Sequence, residues 1–147
     1  MNAKQIHEER GQRTFALVFE AGDEVVSGLT GFAGGNGLEA ASFTALGAFG
    51  TATLGYFDLE KKEYRRIPVH EQVEVLSLLG NVATNEDGQP TVHAHAVLGT
   101  SDGSTRGGHV LEARVRPTLE VVLVESPEHL QRREDSETGL PLISVEG

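Results

Sequence analysis

The chain has 147 residues, 38% hydrophobic but only 5% aromatic, so one modest core of Val, Leu, Ala and Phe is expected and a second domain is not. Its formal charge is -10, from 22 acidic and 12 basic residues, which excludes binding to nucleic acid through a broadly positive surface. The absence of cysteine excludes disulfides, thiolate metal sites and cysteine nucleophiles. Met1 to Glu8 lacks a signal-peptide core, and no apolar run approaches the roughly 20 residues of a membrane helix. A cytoplasmic protein without a membrane partner is expected.

In chain order, Met1 to Gln12 is polar and reads as a fraying arm. Thr14 to Phe19 has the β-branched and aromatic content of a strand, which Ala21-Gly22-Asp23 ends while supplying a helix cap. From Glu24, the spacing of Val25, Val26, Leu29, Phe32 and Ala33 predicts a short amphipathic helix. Gly34-Gly35-Asn36-Gly37 breaks it, and Asn36 is placed to cap a second helix over Leu38 to Leu46, with Gly47 as its stop. Thr51 to Phe57 reads as a strand, Asp58 to Lys62 as a hairpin turn, and Glu63 to Ile67 as the returning strand, ended by Pro68.

Gln72 to Val82 is nearly continuously apolar, as expected of a central strand buried on both faces. A loop over residues 85–90 leads into two histidine-bearing strands, and Pro117 marks a bend or edge before the strand Leu119 to Val124. Residues 126–138 are charged, and Leu140 to Val145 adds a short last strand. The expected fold class is α+β: a mainly antiparallel or mixed sheet of about seven strands with two short helices near the N-terminus. It forms one domain over residues 1–147, with a core at about 13–125 and a C-terminal extension at 126–147.

Half of the six histidines fall in the stretch from His93 to His109. His93 and His95 are two residues apart in a strand, so their side chains leave one face about 6 to 7 Å apart. Asp102-Gly103 reverses the chain, and Gly107-Gly108 returns His109 beside His95. Three imidazoles on one spot suit a divalent metal ion and leave a fourth position open; zinc is the first choice, with Ni, Cu and Fe also accommodated. His7, His70 and His129 stand outside the pattern and read as surface residues.

The same stretch resembles the signature of the plants and prokaryotes conserved (PPC) domain, a His-x-His followed by an Asp-Gly turn and Gly-Gly-His. Gly37 to Ala48 is similar to that family's helix and Gly-Ala turn, and Val73 to Val82 to its central Leu-Ser-Leu-x-Gly-Asn strand. The resemblance runs from about Thr14 to Glu125. It implies a compact α/β domain of the prokaryotic single-domain type that forms trimers, with the histidines as a metal site. In plant members a Gly-Arg-Phe-Glu-Ile-Leu motif contacts partners beside a DNA-binding hook. Here Gln72 and Val73 replace the Arg and Phe, Glu74 is retained, and no Arg-Gly-Arg hook exists.

Other motifs fit less well. Cupins follow His-x-His with a Glu ligand, but Val97, Leu98, Gly99 and Thr100 offer no carboxylate. Gly99-Thr100-Ser101-Asp102-Gly103 has the spacing of a nucleophile elbow, yet it leads into a strand rather than the helix that motif requires. Gly35-Asn36-Gly37-Leu38-Glu39-Ala40 fits a dinucleotide fingerprint but follows a helix rather than a strand.

The expectation is therefore a metal-binding, homotrimeric binding or regulatory module, with a protein or small ligand as further partner. DNA enters through the family's description, and Lys61, Lys62, Arg65 and Arg66 would have to form its patch. The alternative is a metal-dependent enzyme with Glu39 or Glu74 as base. Glu112 is less suited, since strand parity puts it opposite His109.

Overall fold

A computed structural model describes residues 1–145; Glu146 and Gly147, the end of the expected extension, lie outside the described residues. In chain order the elements are β1 (Asn2–Glu9), β2 (Gln12–Glu20), α1 (Val25–Asn36), β3 (Ala40–Asp58) and β4 (Glu63–Val69). They continue with β5 (Val73–Thr84), β6 (Pro90–Gly99), β7 (Thr105–Glu125), β8 (Gln131–Glu134) and β9 (Pro141–Ser144). Every strand pairing is antiparallel except one parallel bridge between Thr84 of β5 and Gln131 of β8.

The long strand β7 organises the sheet. Its first half pairs with β6 and the second half of β3, while its second half pairs with β2 and the first half of β3. Because β5 pairs with both β3 and β6, the ladders close a circuit β3–β5–β6–β7, which removes most of the exposed edges a flat sheet would carry. Alternation along these strands sends Phe15, Leu17, Phe43, Phe49, Leu54, Leu78, Leu98 and Leu123 into one core, where Val25, Leu29 and Ala33 of α1 also lie. The Arg13 guanidinium grips Glu125 at 2.6 and 2.7 Å and the Asn36 carbonyl at 3.0 Å, tying β2, β7 and the end of α1 together.

Several expectations need correcting. The described residues hold one helix and nine strands, not two helices and about seven strands. The expected second helix over Leu38 to Leu46 is the first half of β3. There Ala41, Phe43 and Ala45 point inward while Ser42, Thr44 and Leu46 point out, a period of two that overrides the helix propensity of the alanines. Gly47 is no helix stop. It holds φ +151° at a break in the β3–β5 register, where a Cβ would run into the Thr118 carbonyl.

The cap of α1 is Glu24 rather than Asp23: its carboxylate accepts from the Val26 and Ser27 N–H groups at 3.2 and 2.7 Å and from Ala113 N–H at 3.2 Å. The helix also runs three residues past Ala33, so Asn36 ends α1 instead of capping another helix. The arm expected at Met1 to Gln12 contains the hairpin strand β1, every residue of it exposed. Pro68 lies inside β4 rather than beyond it, and Pro117 sits within β7, where pairing with β3 skips from Val115 to Leu119. The charged segment 126–138 contains β8, which pairs with β9 to form a C-terminal arm.

Candidate functional site

Strand alternation on β6 buries Ala94, Ala96 and Leu98 and turns His93, His95 and Val97 to the outer face. The turn to β7 is closed by Asp102, whose carboxylate accepts from the Thr100 hydroxyl at 2.6 Å and from Ser104 N–H at 2.9 Å. These hydrogen bonds hold its pKa well below the usual carboxylate range. Thr100 N–H donates to the Ser104 carbonyl and Gly103 N–H to the Thr100 carbonyl, so Ser101 rides on a hairpin turn with no helix behind it. That register sets His109 directly opposite His95.

The three histidines meet. Their ligand atoms lie within 4.8 Å of one another, and no Asp or Glu among the described residues belongs to the group. His93 Nε2 and His95 Nε2 are 3.2 Å apart, close to the roughly 3.3 Å that separates two nitrogens on a tetrahedral zinc at a Zn–N distance near 2.05 Å. His109 Nδ1 is buried without a hydrogen-bond partner, a cost of about 1–3 kcal/mol that a packing role leaves uncompensated. Burial first, then the neighbouring His93, His95 and Arg132, pushes the His109 pKa down to about 4. Burial, His95 and Arg132 lower that of His93 as well. Both rings are thus neutral at pH 7, the form that ligates metal. The donor set therefore fits a divalent ion held by His93, His95 and His109.

Supporting residues come from elements whose role the sequence does not announce. Tyr64 of β4 stacks on His109 with ring centroids 4.8 Å apart and an interplanar angle of 27°. It reaches across because residue 55, between them on β3, is glycine; a Cβ there would stand 2.7 Å from Tyr64 Cδ1. Asn81 of β5 lies opposite His93 and accepts a hydrogen bond from Arg132 of β8. Arg132, 5% exposed, also donates to the Pro141 carbonyl at 3.4 Å. The arm thereby covers a cavity of about 220 Å³, lined by His93, His109, Tyr64 and Arg132 on its polar side and by Leu140 and Leu142 on its apolar side. Arg132 was hidden in a segment, Gln131-Arg132-Arg133-Glu134, whose composition reads as solvated surface.

The carboxylates read as candidate bases are elsewhere. Glu39 is exposed in the bend before β3, and Glu74 is exposed opposite Gly99, four residues or about 13 Å of strand from His95. Glu112 lies beside α1 with Glu24 and Thr30. His7, His70 and His129 are exposed and apart from the cluster. Lys61 and Lys62 occupy the β3–β4 turn, while Arg65 and Arg66 alternate across β4 and so divide the basic patch between two faces. Arg65 lies over the Tyr56 ring at 5.3 Å.

The family model of the Plants and Prokaryotes Conserved (PCC) domain matches residues 6–127. A plant- and prokaryote-conserved protein of Pyrococcus horikoshii superposes with a TM-score of 0.85 at 34% identity, covering 92% of this chain and 93% of its own. A protein of Archaeoglobus fulgidus described as metal-containing gives 0.82 at 38% identity, covering 89% and 92%. A Ralstonia eutropha protein named as a candidate DNA-binding protein gives 0.84 at 27% identity, covering 90% and 91%. No sequence among the curated proteins matches. No helix among the described residues is long and apolar enough to cross a membrane.

Proposed function

Since the chain belongs to the plants and prokaryotes conserved domain family, we propose that it is a metal-binding module of that family, working as a homotrimer in a binding or regulatory role. The observation that carries this reading is the meeting of three imidazoles within 4.8 Å with no carboxylate among them. Zinc suits three nitrogens with one open position, and the Archaeoglobus neighbour is described as metal-containing. An enzyme would need a base within direct or one-water reach of the open position, and neither Glu39 nor Glu74 is a cavity-lining residue.

The trimer is supported by an apolar outer face beside the site. Leu46 is 63% exposed and Leu79 58%, and they share a shallow groove with Leu76 and Val122. Such a contiguous patch on a chain of this size marks an interaction surface. A DNA-binding role draws on the name of the Ralstonia neighbour, while the charge of -10 and the divided basic patch oppose it.

Metal analysis of untagged protein tests the central reading, with about one divalent ion per chain expected. Protein that stays metal-free after incubation with Zn, Ni, Fe and Mn, with unchanged thermal stability, would sink it. Salt-dependent binding of duplex DNA through Lys61, Lys62, Arg65 and Arg66 would restore the nucleic-acid reading; none is expected at physiological salt.

A further inference from the structure

Arg132 raises a problem of charge. It is 5% exposed, and no carboxylate among the described residues forms an ion pair with it; its two acceptors, Asn81 Oδ1 and the Pro141 carbonyl, are neutral. A guanidinium removed from water without a counter-charge is costly, and its planar fork is suited to a carboxylate. The wall it shares with His93 and His109 bounds the cavity of about 220 Å³. A divalent ion on the three histidines would add two further positive charges to a site with no anionic ligand among the described residues. The remaining lining is apolar, from Val92, Leu140, Pro141 and Leu142. The arm that supplies Arg132, Leu140 and Leu142 also lies beyond residue 127, where the family match ends.

We propose that this cavity binds a small carboxylic acid as its anion, the carboxylate on Arg132 and a short apolar body against Val92, Leu140 and Leu142. The volume lies below the roughly 300–1,000 Å³ of ordinary ligand pockets, which restricts the ligand to a few carbons beyond the carboxylate. An ion on the histidines would give an oxygen of the same ligand a second contact at the open coordination position. That contact rests on the metal reading above; the guanidinium contact does not.

The test is calorimetric titration with sodium isobutyrate and with isobutyramide, which has the same shape without the charge, on chelator-treated and on zinc-loaded protein at constant ionic strength. Saturable binding of isobutyrate is expected in both preparations, tighter with zinc, and at least about tenfold weaker binding of the amide, the worth of one charge-assisted hydrogen-bond pair. In the chelator-treated preparation, where the guanidinium is the sole anchor proposed for the charge, Arg132→Met should abolish the preference for the acid. Equal binding of acid and amide, binding of neither, or an undiminished preference in chelator-treated Arg132→Met overturns the proposal, even where zinc is taken up by the other preparation. Preference for the acid in protein that takes up no zinc sustains it while the metal reading falls. Should Arg132→Met fail to fold, NMR titration of the unaltered protein decides: isobutyrate must shift the Arg132 Nε–H and the methyls of Val92 and Leu142, and shifts confined to other residues overturn the assignment.

Discussion

Two stretches of one outer sheet face meet at a single residue pair, and the chain treats them differently. Val122 lies opposite Thr44, Thr44 opposite Leu79, Leu79 opposite His95 and His95 opposite His109. At the histidine end the chain folds back on itself, and the β8–β9 arm brings Arg132, Leu140 and Leu142 over His93 and His109. At the apolar end no element among the described residues covers Leu46, Leu76 or Leu79. On the reading proposed above, the polar end is completed within one chain and the apolar end is covered by a second molecule, because only burial recovers the free energy of exposed leucines.

The sharpest way to separate the two ends is to remove a ligand. His93→Ala is expected to weaken zinc affinity by more than about a hundredfold, beyond the roughly 10–100-fold that loss of an outer hydrogen bond to a ligand costs, while the oligomeric state stays unchanged. Competition with a chromophoric chelator measures the first and light scattering the second. If the assembly dissolves with the metal, the two ends are one unit and the division drawn above is wrong.

The converse change is Leu46→Lys, at the most exposed of the three leucines and the farther end of the groove. Losing a partly buried leucine costs each interface about 1–2 kcal/mol, and burying an unpaired ammonium costs more. At low micromolar concentration the variant should be monomeric yet still bind zinc. A monomer in the unaltered protein would remove the premise.

What the residues revealed beforehand follows the same division. β6 and the first half of β7 were legible because the Asp102-Gly103 turn and three histidines in fixed register point to one hairpin; β5 was legible as a strand, but its apolar run suggested burial on both faces, whereas Leu76 and Leu79 lie exposed on the outer one. The first half of β3 was not. Ala40, Ala41 and Ala45 favour a helix in isolation, and outward Leu46 hid the period of two because it belongs to the apolar outer face rather than the core. β1 carries no buried side chain, and therefore no pattern, since among the described residues it pairs with β2 alone, at the sheet edge. Arg132 and Tyr64 escaped notice because their contacts with the site span strands far apart in sequence: 51 residues separate Arg132 from Asn81.

A smaller effect concerns protons. The pKa values of His93 and His109 are lowered in the fold, that of His109 from 6.5 to about 4, so the unfolded chain takes up protons before the folded one as pH falls. The metal-free protein should therefore lose stability between pH 6.5 and about 4, and recover it as pH rises. The slope is bounded by about 1.4 kcal/mol per pH unit for each histidine, and is smaller here because water reaches the cluster. Melting curves of metal-free protein and His109→Gln across that range isolate the contribution: the gap in Tm between them should change in favour of the variant as pH falls. A constant gap would show that His109 titrates alike in both states.

The smallest effect tests how finely the histidine end is built. Gly55→Ala leaves every ligand in place but puts a methyl group 2.7 Å from Tyr64 Cδ1 and 3.1 Å from Leu111 Cδ1, so the Tyr64 ring must move from its stack on His109. Overpacking of this kind costs about 1–3 kcal/mol. The loss of zinc affinity should stay below about tenfold, since the ring orients a ligand without being one. Burial raises the Tyr64 phenol above its usual pKa near 10, so displacing the ring should bring its ionisation back toward that value. Ultraviolet titration can follow this with Tyr56 as the one other tyrosine in the chain. An unchanged phenol titration together with lowered zinc affinity would place the strain on the strand carrying His109 rather than on the ring, and the support attributed to Tyr64 would pass to the backbone of β3 and β7.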